Sequence, residues 1–221
     1  MPTRSSKTGP KQPRHRPNPL ARTRISARAI GDGTDITVGA PVSRLTAMSF
    51  GAGSVTAPGV GTMTVKGDLA ADVTVTGAGV DPAKSALGQL RVRGAVTGSD
   101  IRVAGNVGAV AVGAFRGSRL FAGYDGPDDG TGTFAPAGFT VGTFRATGRF
   151  DDFQDSRVIA TGFRSVAIAN YYDSPDVTAE FGFYADTSLG RVTVRAPVRW
   201  AYDPALPTPQ TLGDFFVVKV V

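Results

Sequence analysis

Two aspartate clusters are the strongest candidates for chemistry in this chain of 221 residues. Asp125-Gly126-Pro127-Asp128-Asp129-Gly130-Thr131-Gly132 sets Asp125, Asp128 and Asp129 among glycine turns. Closely spaced hard oxygens of this kind suit calcium, the one cofactor the sequence brings into view. The run has neither the spacing nor the terminal bidentate Glu of an EF-hand, and it lacks the glycine-rich nonapeptide of calcium-binding β-rolls. A solvated, turn-rich loop accounts for the same residues and is the favoured reading. Asp151, Asp152 and Asp155 form the second cluster, beside Arg149 and Arg157. Two carboxylates held on opposite sides of a sugar would serve glycoside hydrolysis. These crowd into one turn between strands, where a polar corner with surface ion pairs is the plainer reading.

Composition removes most other chemistries. There is no cysteine, so no disulfide and no thiolate metal site. The single histidine, His15, lies in the N-terminal segment, which leaves the rest of the chain without imidazole. No P-loop, nucleophile elbow or zinc motif occurs. Gly51-Ala52-Gly53 and Gly77-Ala78-Gly79 introduce no helical pattern and are not nucleotide fingerprints. No apolar run approaches the length of a membrane-spanning helix, and no signal peptide is visible.

The formal charge of +6 is unevenly placed. Residues 1–30 carry Arg4, Lys7, Lys11, Arg14, Arg16, Arg22, Arg24 and Arg28 with no acid, and the remainder is close to neutral. This Pro- and Arg-rich segment has no hydrophobic periodicity and reads as a disordered basic tail. A flexible tail is favoured over an arm that binds an anionic polymer through charge alone. A transit peptide ranks below both, because the prolines would spoil its helix. Nucleic acid is not the partner expected.

Two further sets could touch a ligand. Arg91, Arg93, Arg102 and Arg145, with Lys66 and Arg195, would form an outward basic stripe on neighbouring strands. A solvated sheet face is the favoured reading, and an acidic-glycan surface is the other. Tyr171, Tyr172, Phe181, Phe183, Tyr184, Trp200 and Tyr202 concentrate aromatics in the C-terminal third. They would either stack on sugar rings or pack an insert onto the body, and packing is favoured.

A repeated phrase must position all of these. It reads Val60-Gly61-Thr62-Met63-Thr64-Val65, Leu87-Gly88-Gln89-Leu90-Arg91-Val92 and Val107-Gly108-Ala109-Val110-Ala111-Val112. It returns at Val141, Phe163 and Leu189, with a degenerate copy at Val42. Recurrence at a loose period near twenty points to stacked repeats. Seventeen of the eighteen acids are Asp, Glu180 being the exception, and glycine is abundant, so almost no helix is expected. The reading is an all-β, right-handed parallel β-helix, or β-solenoid, of about six to seven rungs over residues 36–221, behind the tail at 1–30.

Each repeat reads as two strands. Gly98-Ser99, Gly117-Ser118 and Asp155-Ser156 mark corners with positive φ. Inserts fall at about 78–86, 124–140, 170–188 and 197–211, and the closing strand 215–221 caps the last rung. An antiparallel sandwich or a propeller fragment is the competing architecture. Parallel alignment of 63–65, 90–92, 110–112, 144–146, 166–168 and 192–194 decides between them.

These phrases, with Gly98-Ser99-Asp100-Ile101-Arg102-Val103 and Gly117-Ser118-Arg119-Leu120-Phe121-Ala122-Gly123, resemble the degenerate β-helix repeats of large bacterial secreted or surface proteins. The resemblance covers roughly residues 40–221. It implies an extracellular or cell-surface setting and a non-enzymatic structural or adhesive role. Polysaccharide or cell-envelope components would then be partners, and the chain would be part of a longer repeat array. The alternatives are a β-helix polysaccharide lyase or hydrolase, and anionic-polymer binding through the basic tail.

Overall fold

The computed structural model describes residues 23–127, 130–148, 152–173 and 179–221. Among them there is no helix, and seventeen strands join one sheet held mostly by parallel pairings. The repeated phrase sets its register. Val42, Val60, Leu87, Val107, Val141, Phe163 and Leu189 are successive in-register partners along one ladder. The six segments named above therefore align in parallel, and the sandwich and propeller alternatives are set aside. Side chains alternate across a strand. Leu45, Met63, Leu90, Val110, Phe144, Val166 and Val192 accordingly form an inward column, each at most 1% exposed. The recurring glycine has a steric cause: a Cβ at Gly61 or Gly142 would lie 2.7 or 2.5 Å from the carbonyl oxygen of the preceding turn.

A second ladder aligns Ile36, Val55, Val73, Ile101, Leu120, Val158, Phe183 and Val218. A third, absent from the two-strand expectation, aligns Ile30, Phe50, Leu69, Val96, Phe115, Phe153 and Tyr171. Several of its strands, such as Ser49–Phe50 and Phe153–Gln154, are two residues long. That is too short for alternation to be read in the sequence. Each turn thus has three faces, and no turn buries its apolar residues without the next.

The corner between the third and second faces follows the expected pattern. Gly98, Gly117 and Asp155 have φ of 62°, 52° and 40°. The serines behind them stack: Ser118 Oγ accepts from Ser99 N at 3.2 Å, and Ser156 Oγ accepts from Ser118 N at 3.1 Å. Ser118 Oγ and Ser156 Oγ in turn donate to Arg116 O and Gln154 O at 2.8 and 2.7 Å. Buried hydroxyls are tolerated because they are hydrogen-bonded.

Other boundaries differ from expectation. The described strands begin at Thr23–Ser26, which pairs in parallel with Val42–Ala47, so the first of them lies inside the segment read as tail. The alternation Thr-Arg-Ile-Ser is hidden there by its basic surroundings. Residues 1–22 lie outside the described residues. The insert read at 170–188 is shorter, because Phe181–Ala196 is a strand whose residues 181–185 rejoin the second ladder. Within 124–140 a small antiparallel hairpin forms from Tyr124–Asp125 and Thr133–Phe134.

The closing strand Phe216–Val220 extends the second ladder, and antiparallel Gln210–Leu212 covers its far edge. Trp200–Ala201 covers the last strand of the first face in the same way. Pairing these edges prevents them from recruiting other strands.

The core changes character along the coil. Its first turns are aliphatic but for the isolated ring of Phe50, whereas Phe153 lies 5.0 Å from Phe183, 6.1 Å from Phe115 and Phe181, and edge-on to Phe144 and Phe216. Phe181 and Phe183 of the C-terminal aromatics are buried in this stack, and Trp200 and Tyr202 pack partly buried against the core.

Candidate functional site

The described aspartate candidates, Asp125, Asp152 and Asp155, do not share a surface. Asp152 is fully buried, its carboxylate against Gly148, where a Cβ would stand 2.5 Å from Oδ1. Its carbonyl accepts from Phe115 N at 2.6 Å, which ties it to the third face. Asp155 sits at the positive-φ corner, and its carbonyl accepts from Arg119 Nη1 at 2.8 Å. Asp151, Asp128 and Asp129 lie outside the described residues. Asp125 is exposed in the hairpin. Among the described residues, no three of His, Cys, Asp and Glu converge as metal ligands.

The outer side of the second face is partly covered. Its outward column runs Arg102, Phe121, Ile159, Tyr184 and Lys219. Phe121, Ile159 and Tyr184 are buried outside the coil with Tyr124 and Val217, against the half-buried Phe134 of the hairpin. Tyr124 Oη fixes the hairpin loop by donating to Pro127 O at 2.6 Å and accepting from Gly132 N at 2.7 Å. Arg102 belongs here and not to the basic stripe. Its Nε donates to Asp100 at 2.9 Å, and its guanidinium lies 4.4 Å from the Phe121 ring centroid. Arg102, Tyr124, Phe134 and Phe139 line a mostly apolar groove of about 450 Å³ between hairpin and coil.

The outer side of the first face is bare. Arg91, Arg93, Arg145, Arg164, Arg191 and Arg195 are exposed on it. Arg44 and Lys66 extend it toward the N-terminal end. Its segments 42–47, 60–65, 87–93, 107–113, 141–146, 163–169 and 189–195 carry no acid; on the strand Phe181–Ala196, Asp186 falls between the second-face and first-face segments. Along one outward column, Thr64, Arg91, Ala111, Arg145, Ala167 and Thr193 are successive partners.

In this column arginine therefore alternates with small residues, and Arg164 stands at the start of the turn that carries Ser165, Ala167 and Ala169. Two shallow troughs result. One of about 270 Å³ lies over Ala111 and Gly113, beside Arg91 and Arg93. Another of about 310 Å³ lies over Ser165, Ala167 and Ala169, flanked by Arg145, Arg191 and Arg195. The basic stripe was legible in the sequence; its alternation was not, because it appears only once the inserts are removed and the turns are in register.

The chain matches no protein-family model, no curated protein and no solved structure, so fold and site rest on its own residues.

Proposed function

We propose that this chain is a right-handed parallel β-solenoid of about six to seven turns that serves as a non-enzymatic structural or adhesive module of a bacterial surface or secreted protein. The observation that carries this reading is where the carboxylates fall. Asp152 is buried in a corner and Asp155 forms the next one, so these two acids serve the coil's turns. General acid–base work needs carboxylates within reach of one substrate atom. The first and second ladders meanwhile run from the first described turn to the covered C-terminal edges, as a rigid spacer requires.

The test is incubation of the full chain with acidic and neutral polysaccharides, with and without calcium, followed by assay of new reducing ends and of unsaturated uronate. No products from a sample with β-sheet circular dichroism is the expected result. Products lost in an Asp151→Asn, Asp152→Asn, Asp155→Asn variant would make it a carbohydrate-active enzyme instead.

A further inference from the structure

We propose that the bare side of the first face binds a linear acidic polysaccharide laid along the coil axis, across the strands. This rests on the reading of a non-enzymatic surface module and supplies that module's ligand class.

The charge is of one sign and accessible. A face that only needed solubility would mix signs, whereas a single-sign field draws in a counter-charged partner. Arg91, Arg93, Arg145, Arg191 and Arg195 make no ion pair among the described residues. Their guanidinium groups remain open to carboxylate or sulfate, which the planar fork holds with two parallel hydrogen bonds.

The spacing is periodic in the direction proposed. Neighbouring strands lie about 4.8 Å apart, so the turns of Arg91, Arg145 and Thr193 recur at roughly 9.6 Å. Arg191 and Arg195 flank Thr193 on the last of these turns. The turns between are floored by Ala109, Ala111 and Gly113, and by Ser165, Ala167 and Ala169. A sugar ring would rest its C–H face on such a floor, with its acidic group on an adjacent arginine. The Ser165, Thr147 and Thr193 hydroxyls are on hand for its hydroxyl groups.

The same surface argues against nucleic acid. Single-strand binders offer aromatic platforms for the bases. The aromatics within the first-face segments of these strands, Phe144 and Phe163, point inward and are buried.

The experiment titrates the full chain with polygalacturonate and with heparin, using dextran as the uncharged control and an oligothymidylate as the nucleic acid. Three proteins are compared: the unmodified chain; a face variant with Arg91, Arg93, Arg145, Arg191 and Arg195 changed to Gln; and a tail variant with Arg4, Lys7, Lys11, Arg14, Arg16 and Arg22 changed to Gln. At least one acidic glycan should bind, more weakly as salt rises from about 50 to 200 mM. The face variant should lose about tenfold or more with its melting temperature unchanged, and the tail variant about twofold or less.

Four outcomes would overturn the proposal: no binding of either glycan by folded chain, equal binding by the face variant, loss confined to the tail variant, or preference for the oligothymidylate. Cleavage of the bound glycan would overturn the non-enzymatic reading and leave the binding face standing, so the two failures are distinguishable.

Discussion

The first and second faces share one construction inside and differ outside. Both bury an unbroken column of apolar side chains, Leu45 to Val192 in one and Ile36 to Val218 in the other. Outside, the first face shows arginine, lysine and small residues to solvent, while the second carries Phe121, Ile159 and Tyr184 under a hairpin. The inward column answers to folding, because stacking is the only way these turns acquire a core. The outward column is free to differ. One side has used that freedom for a second small core, and the other for charge.

The largest expected effect treats both faces alike. Phe153→Ala removes the ring at the centre of the phenylalanine stack. It should cost about 4 kcal/mol in urea unfolding, the usual range for a buried phenylalanine. A loss below about 1 kcal/mol would mean the interior is not packed as described.

The next pair separates the two sides. Phe121→Ala, on the outside of the second face, should cost about 3 kcal/mol because the hairpin cluster loses its floor. Arg145→Ala, on the outside of the first, should change stability by less than about 0.5 kcal/mol. Equal costs at the two positions would abolish the distinction drawn here.

A corner effect is smaller. Asp155 holds a φ of 40° where its counterparts are Gly98 and Gly117. Asp155→Ala should cost about 1 kcal/mol, and Asp155→Gly should leave stability unchanged or slightly raised. If both substitutions instead abolished a measurable activity while leaving the melting temperature alone, the carboxylate would have a chemical role.

The smallest effect is in pH. Burial first, then the negative charges of Asp173 and Asp214, raise the Tyr171 phenol above its ordinary 10.0. The folded state therefore favours the protonated phenol. Its contribution is complete below pH 10.0 and declines as pH rises through the higher folded value. Tyr171→Phe should show a shallower loss of stability above pH 10, read by denaturant midpoint against pH. An identical slope in both proteins would contradict this assignment.

Much of the coil was legible in the sequence for a physical reason. A valine or leucine, a glycine pressed on the carbonyl of the turn below, and alternating apolar residues leave a signature that inserts do not erase. The Gly-Ser corners were legible because positive φ and close stacking call for small residues. The third face left no such mark, since two-residue strands have no period. Thr23–Ser26 alternates, but Arg24 and its basic neighbours Arg22 and Arg28 make it read as tail. The buried outward column of the second face was hidden by the assumption that outward residues meet water. Arg102 reads as part of the basic stripe for the same reason: with two strands to each repeat, every arginine between apolar residues looks equivalent. At the site, the basic residues were visible, while their grouping into alternating turns depends on where 124–139 leaves the coil.

The central claim is that the bare side of the first face is the one that meets a ligand. Amide chemical-shift mapping of isotope-labelled full chain during titration with polygalacturonate and with heparin tests it most directly. The account predicts shifts confined to residues 91–93, 111–113, 145–147, 165–169 and 191–195. Shifts centred instead on the hairpin groove around Arg102 and Phe134, or on residues 1–22, would contradict it.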